Sequence, residues 1–150
     1  MRRLPSLSFV LLLALPAVAA DPLGDAVRTA VAARKVHDTD LKGAREPLSP
    51  YRNLAEDGGV LVGLEVGLGG KPPAERVLAV RPVYRAGGRD RSGAPAGNFL
   101  ADEVKRTARL IARPGYAVAA VGVSAGRQID GLAVRFARID GAWLKTADAY

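Results

Sequence analysis

The chain of 150 residues contains no cysteine. Disulfide frameworks, thiolate metal sites, cysteine nucleophiles and lipid attachment through a lipobox cysteine are therefore excluded. Aromatic residues are scarce, with one Trp, four Tyr and three Phe. The arginines at 85, 89 and 91, at 106, 109 and 113, and at 135 and 138 lack the interleaved aromatics of a base-stacking platform, so nucleic acid is not an expected partner. Histidine occurs once, at His37. Long apolar runs are also missing: the longest, residues 9–15, falls far below the roughly 20 residues that cross a bilayer, and no membrane span is expected.

The amino end carries what the rest lacks. Arg2 and Arg3 precede the apolar run, and Pro16 with the small residues Ala17, Val18, Ala19 and Ala20 follows it. That order of charged, apolar and small residues is a secretory signal, with cleavage expected near Ala19 or Ala20 and a secreted or periplasmic destination. Lys and Arg outnumber Asp and Glu by 22 to 15. Removing residues 1–20 takes away two arginines and no acid, leaving a net charge of about +5. Without disulfides, an exported fold of this size depends on its core.

About 130 residues remain, the size of one domain. Leu23, Ala26, Val27, Ala30 and Val31 recur at helical spacing, with Asp25 near one end and Arg34 and Lys35 near the other, which predicts a short helix over residues 23–36. Residues 38–59 hold Pro47, Pro50, Gly58 and Gly59 with no sustained period and read as linker. The expected division is thus 1–20 signal peptide, 21–58 helix plus linker, and 59–150 antiparallel β domain.

Within that domain the period becomes two. Val60, Val62, Leu64, Val66 and Leu68 alternate with small or charged residues, which predicts a strand with one apolar face. A second strand is expected over residues 76–85, at a sheet edge because Pro82 cannot donate to the ladder. Residues 86–97 read as a glycine-rich loop. Residues 100–113 fit either a helix or a strand, and the flanking strands favour the strand. Ala117, Ala119, Val121 and Val123 form one further apolar face; Leu132, Val134 and Phe136 form another. The fold class expected is mainly β, an antiparallel β-prism or β-sandwich of about 5–7 strands with one short amino-terminal helix.

Residues 116–136 admit two readings. Gly122-Val123-Ser124-Ala125-Gly126 matches the nucleophile elbow of serine hydrolases, which requires a helix after the serine and a histidine later in the chain. The only histidine lies upstream and the surrounding strands alternate as antiparallel meanders, so Ser124 is expected in a turn and catalysis is not expected. Gly67-Leu68-Gly69-Gly70-Lys71 has Glu65 and Pro72 where a phosphate-binding loop needs glycine and a hydroxyl. His37, Asp38 and Asp40 read as a solvated helix end, and no metal or cofactor is expected. The adjacent acids Glu56–Asp57 and Asp102–Glu103 would point to opposite strand faces.

By spacing, residues 118–136 run Val-x-x-Val-x-Val-x-x-Gly-x-x-Ile-Asp-Gly-Leu-x-Val-x-Phe, with the turn at Gly126 and the pair Ile129–Asp130, and residues 80–97 are a strand leading to Gly93-Ala94-Pro95-Ala96-Gly97. These two pieces, about a third of the chain beyond residue 20, resemble jacalin-like lectin domains. The resemblance implies a β-prism and carbohydrate binding without a cofactor. It does not extend to that family's glycine-rich amino-terminal loop or late Gly-x-x-x-Asp loop, so no sugar-binding residue carries over.

Saccharide recognition requires an aromatic face for pyranose C–H groups and acids or amides for hydroxyls. Trp143 with Asp140, Asp148 and Tyr150 is the cluster that carries both, against the simpler reading that Trp143 and Tyr150 cover the core edge. Asp90 and Asn98, with Ser92, form the second candidate group. The expected function is an exported non-catalytic binding module with saccharides as ligand; the alternative is a structural or interaction domain docking on a cell-envelope protein. Oligomeric state is not legible in these patterns.

Overall fold

The computed structural model describes residues 21–35, 53, 55, 57–71, 74–126 and 128–150. The expected signal in residues 1–20, most of the linker, and His37, Asp38, Asp40 and Glu56 lie outside them. One helix, α1 (Pro22–Ala32), precedes eight strands: β1 (Val60–Gly69), β2 (Arg76–Ala86), β3 (Arg89–Ser92), β4 (Ala96–Gly97), β5 (Val104–Ile111), β6 (Tyr116–Ala125), β7 (Ile129–Asp140) and β8 (Trp143–Lys145). A 3-10 turn at Thr146–Asp148 follows. The expected mainly β fold with a short helix is what forms.

Two antiparallel sheets contain these strands. The first runs β3-β2-β1-β5, with β4 also pairing β2; the second runs β6-β7-β8. β1 is the centre of the larger sheet, and both of its faces are covered: Leu64 and Val66 are buried, and so are Gly63, Glu65 and Gly67 between them. A buried carboxylate needs partners, and the register supplies them, since Glu65 stands opposite Arg81 on β2 and Arg109 on β5. Arg81 Nε donates to Glu65 Oε2 at 2.6 Å, and Arg109 Nε lies 2.9 Å from Oε1. The Arg81 guanidinium in turn sits 4.8 Å over the Phe99 ring.

The sheets meet around Val62. The β1–β2 register jumps from Leu61↔Tyr84 to Gly63↔Val83, leaving Val62 as the extra residue of a bulge. Its carbonyl accepts from Ala112 N at 2.8 Å, and its side chain packs with Val83, Ala112 and Phe136, joining the two sheets in one cluster. A second cluster, Leu23, Val60 and Ala117 with Ile139 and Leu144 against it, seats α1. The helix is capped by Asp21, which accepts from Gly24 N at 2.9 Å, and Arg28 donates to the Asp57 carbonyl at 2.7 Å. A side chain at Gly24 would sit 2.8 Å from the Gly58 carbonyl oxygen, so glycine permits the contact.

Four expectations are corrected. The helix ends at Ala32 rather than residue 36, because Arg34 turns left-handed at φ 53° while Lys35 N reaches Ala30 O and Arg34 N reaches Val31 O, a Schellman closure. β2 is not an edge strand: β3 and β4 flank it, and Pro82 falls at the break between them, where its carbonyl accepts from Gly93 N at 2.8 Å and no ladder N–H is required. Residues 86–97 are not one loop, since Gly87 and Gly88, at φ 54° and 74°, make a two-residue hairpin turn into β3. The carboxyl end pairs through β8 and through Tyr150, whose N and O both bond Phe136 at 3.0 Å. Finally, the expected apolar face of β6 is buried only at Ala117. A bulge between Val118 and Ala120 changes the register, and the hairpin then runs beyond the core, leaving residues 119–126 exposed.

Two outcomes follow. Arg81→Ala should lower stability by about 2 kcal/mol in urea titrations by leaving Glu65 half-paired, whereas Arg106→Ala, which removes a surface pair with Glu75, should leave the midpoint unmoved. Arg34→Gly should stabilise by about 0.5–1 kcal/mol by relieving the left-handed position, read as a raised thermal midpoint.

Candidate functional site

The β7–β8 hairpin sorts its side chains by alternation. Ile139 and Leu144 pair across it and pack on the second core cluster. Asp140 and Trp143, also directly opposite one another, are exposed beside the turn at Gly141. Trp143 is 79% exposed, against 51% for Tyr150. Together Asp140, Trp143, Leu144 and Lys145 line an open depression of about 410 Å³.

Asp148, delivered by the 3-10 turn, lies 3.4 Å from Arg138 Nε and 3.7 Å from Lys145 Nζ. Arg138 and Lys145 face each other across the hairpin two residues beyond the Asp140–Trp143 pair, on the same face. Three of the four residues expected to cluster, Trp143, Asp140 and Asp148, are therefore associated with one short hairpin. The arrangement offers a flat apolar ring beside an acceptor and a cation.

Tyr150 is placed elsewhere. Its ring meets Tyr116 edge-on at 5.2 Å and Phe136 at 5.3 Å, and the Arg113 guanidinium stacks 4.1 Å from Tyr116 and 4.7 Å from Tyr150. Arg113 N also donates to the Tyr150 hydroxyl at 3.0 Å. These contacts close the end of the first core cluster, so Tyr150 covers the core rim. Residues far apart in sequence make this group, and only the short spacing of Arg113 and Tyr116 could have announced it.

The second candidate group is dispersed. Asp90 stands opposite Arg85 and accepts two hydrogen bonds, from Nε at 2.6 Å and Nη2 at 3.0 Å. Those bonds hold its carboxyl below the usual range, against desolvation, with the charges of Arg85 and Arg109 adding to the effect. With Arg85, Gly88, Pro114 and Gly115 it lines another depression, of about 470 Å³. Asn98 instead accepts from Leu100 N at 2.9 Å within its own turn, and the Ser92 hydroxyl points to Glu65 at 3.4 Å.

Ser124 lies inside β6 opposite Gly131 rather than in the turn itself, which Gly126 N closes on Gln128 O at 3.0 Å. A strand follows instead of a helix, so the geometry of a nucleophile elbow is absent there. Among the described residues no group of three or more His, Asp or Glu gathers as metal ligands, and no helix is long and apolar enough to cross a membrane. Comparison with protein-family models, with curated proteins and with solved structures finds no match.

The two aromatic residues at the carboxyl end should respond differently to removal. Trp143→Ala should change stability by less than about 0.5 kcal/mol, and Tyr150→Ala should cost about 1–2 kcal/mol through two lost ring contacts, both read from denaturant midpoints.

Proposed function

We propose that the chain is an exported, non-catalytic binding module whose ligand is carbohydrate, taken up on the face of the β7–β8 hairpin around Trp143. The observation that carries this reading is the exposure of Trp143. At 79% it contributes little to the core, while Leu144 beside it packs inward. A rigid aromatic face in water is the surface on which the C–H groups of a pyranose stack. Asp140 directly opposite accepts hydroxyl protons, and Lys145 donates to ring or hydroxyl oxygens. The open depression suits an end-on or sidelong glycan better than an enclosed small molecule.

The charged, apolar and small-residue order of residues 1–20 supports export, to the periplasm or outside the cell. The resemblance of residues 80–97 and 118–136 to jacalin-like lectin domains points to the same ligand class. The test is a glycan array with affinity electrophoresis of the purified protein, monitored by the fluorescence of its single tryptophan. A retained saccharide that shifts Trp143 emission, with about tenfold or greater loss of affinity in Trp143→Ala at unchanged stability, is the expected result. No retention by any saccharide and an unmoved emission spectrum would sink the reading.

A further inference from the structure

The described strand edges differ in how they are protected. β5, at one side of the larger sheet, carries Lys105, Arg106 and Arg109; β3, at the other, is Arg89-Asp90-Arg91-Ser92; β4 and β8 are two and three residues long. Charges and short lengths are how sheets prevent pairing with other chains. β6 has neither. It is ten residues long, pairs only β7 among the described strands, and from Tyr116 to Gly126 holds no charged residue and no proline.

The same strand is exposed. Beyond the bulge at Ala119 every residue to Gly126 is accessible, with Val121 at 43% and Val123 at 56%. Val121 and Val123 stand opposite Val134, which packs on the first core cluster, and half-buried Leu132 of β7, so one side of the ribbon carries a small aliphatic surface outward from the core. Unpaired backbone groups beside aliphatic side chains form a surface suited to an added strand.

Charge selects the occupant. Even without residues 1–20 the chain carries a net charge of about +5, so two copies repel wherever their basic faces approach. The uncharged edge is the place where that repulsion is least. A charged partner strand would gain nothing from β6, whereas an uncharged extended strand of matching length is already present on another molecule of the same chain. We infer that β6 pairs antiparallel with β6 of a second copy over residues 119–125, about a two-fold axis at Gly122. That register sets Val121 against the second copy's Val123 and Ala120 against its Ser124, an isologous contact without a charged pair. A continuous six-stranded sheet results, with β8 and its exposed Trp143 at each outer margin. The pairing holds whether or not that hairpin binds sugar.

Sedimentation and light scattering of the purified protein, over on the order of 1 µM to 1 mM, read the assembly directly. The expected result is a doubling of mass with concentration that disappears in Val123→Lys and Ser124→Lys, which set a charged side chain on the pairing edge against the second copy's Val121 and Ala120, and persists in Leu100→Lys at a 92% exposed position off the ribbon. Ser124 is already exposed and polar, and its substitution decides the matter if Val123→Lys loses its near-ultraviolet circular dichroism. A protein that stays monomeric throughout, or a dimer that survives Ser124→Lys in folded protein, overturns the proposal. The monomeric outcome would assign the edge to an extended segment of a different protein.

Discussion

Both oxygens of the Glu65 carboxylate are engaged by arginines from the two strands on either side, at the middle of the larger sheet and largely out of water. That row spans β2, β1 and β5. A buried acid tolerates few alternatives: sliding either neighbour by one residue turns its arginine to the opposite face and leaves the carboxylate half-paired, at a cost of about 2 kcal/mol. The ion row therefore does for register what a hydrophobic pattern does elsewhere. β1 needs such a device, because the small residues Gly63 and Gly67 beside Glu65 offer little side-chain packing to select a partner. With β1 placed, the bulge at Val62 brings Val83, Ala112 and Phe136 together and joins the second sheet to the first.

The second sheet shows what happens where that support ends. Its inner half is anchored through Ala117, Val118, Phe136 and Ile139, which contribute to or pack on the two core clusters. Its outer half projects as a ribbon whose Val121 and Val123 remain in solvent. The β7–β8 hairpin occupies an intermediate position, held by Ile139 and Leu144 but presenting Asp140 and Trp143 outward. A binding surface on a short hairpin backed by core residues is more rigid than one on a free loop, which lowers the ordering cost of taking a ligand.

Legibility in the sequence followed locality. The alternation in residues 60–68 and the helical spacing after residue 22 identified β1 and α1, because both patterns are written in neighbouring residues. Pro82 misled, since its missing N–H is harmless at a break between two flanking strands, and that break is a tertiary fact. The Gly87–Gly88 turn was legible in principle, yet the arginine-rich residues after it lack the alternation of a half-buried strand. Ala119, Val121 and Val123 had a convincing apolar period with no core to receive it, and periodicity alone does not say how far a sheet extends past its packing partner. At the candidate site, the Asp140–Trp143 juxtaposition was legible from a two-residue turn, whereas the transfer of Tyr150 to the Tyr116–Phe136 cluster depended on a long-range bridge.

The central claim, that the Glu65 row organises the larger sheet, is tested most directly by double-mutant cycles pairing Glu65→Gln with Arg81→Met and with Arg109→Met, measured by urea unfolding. The structure predicts a coupling above about 1 kcal/mol for Glu65 with Arg81, the less exposed partner, and a smaller one with the more exposed Arg109. Coupling energies within about 0.3 kcal/mol of zero in both cycles would contradict it.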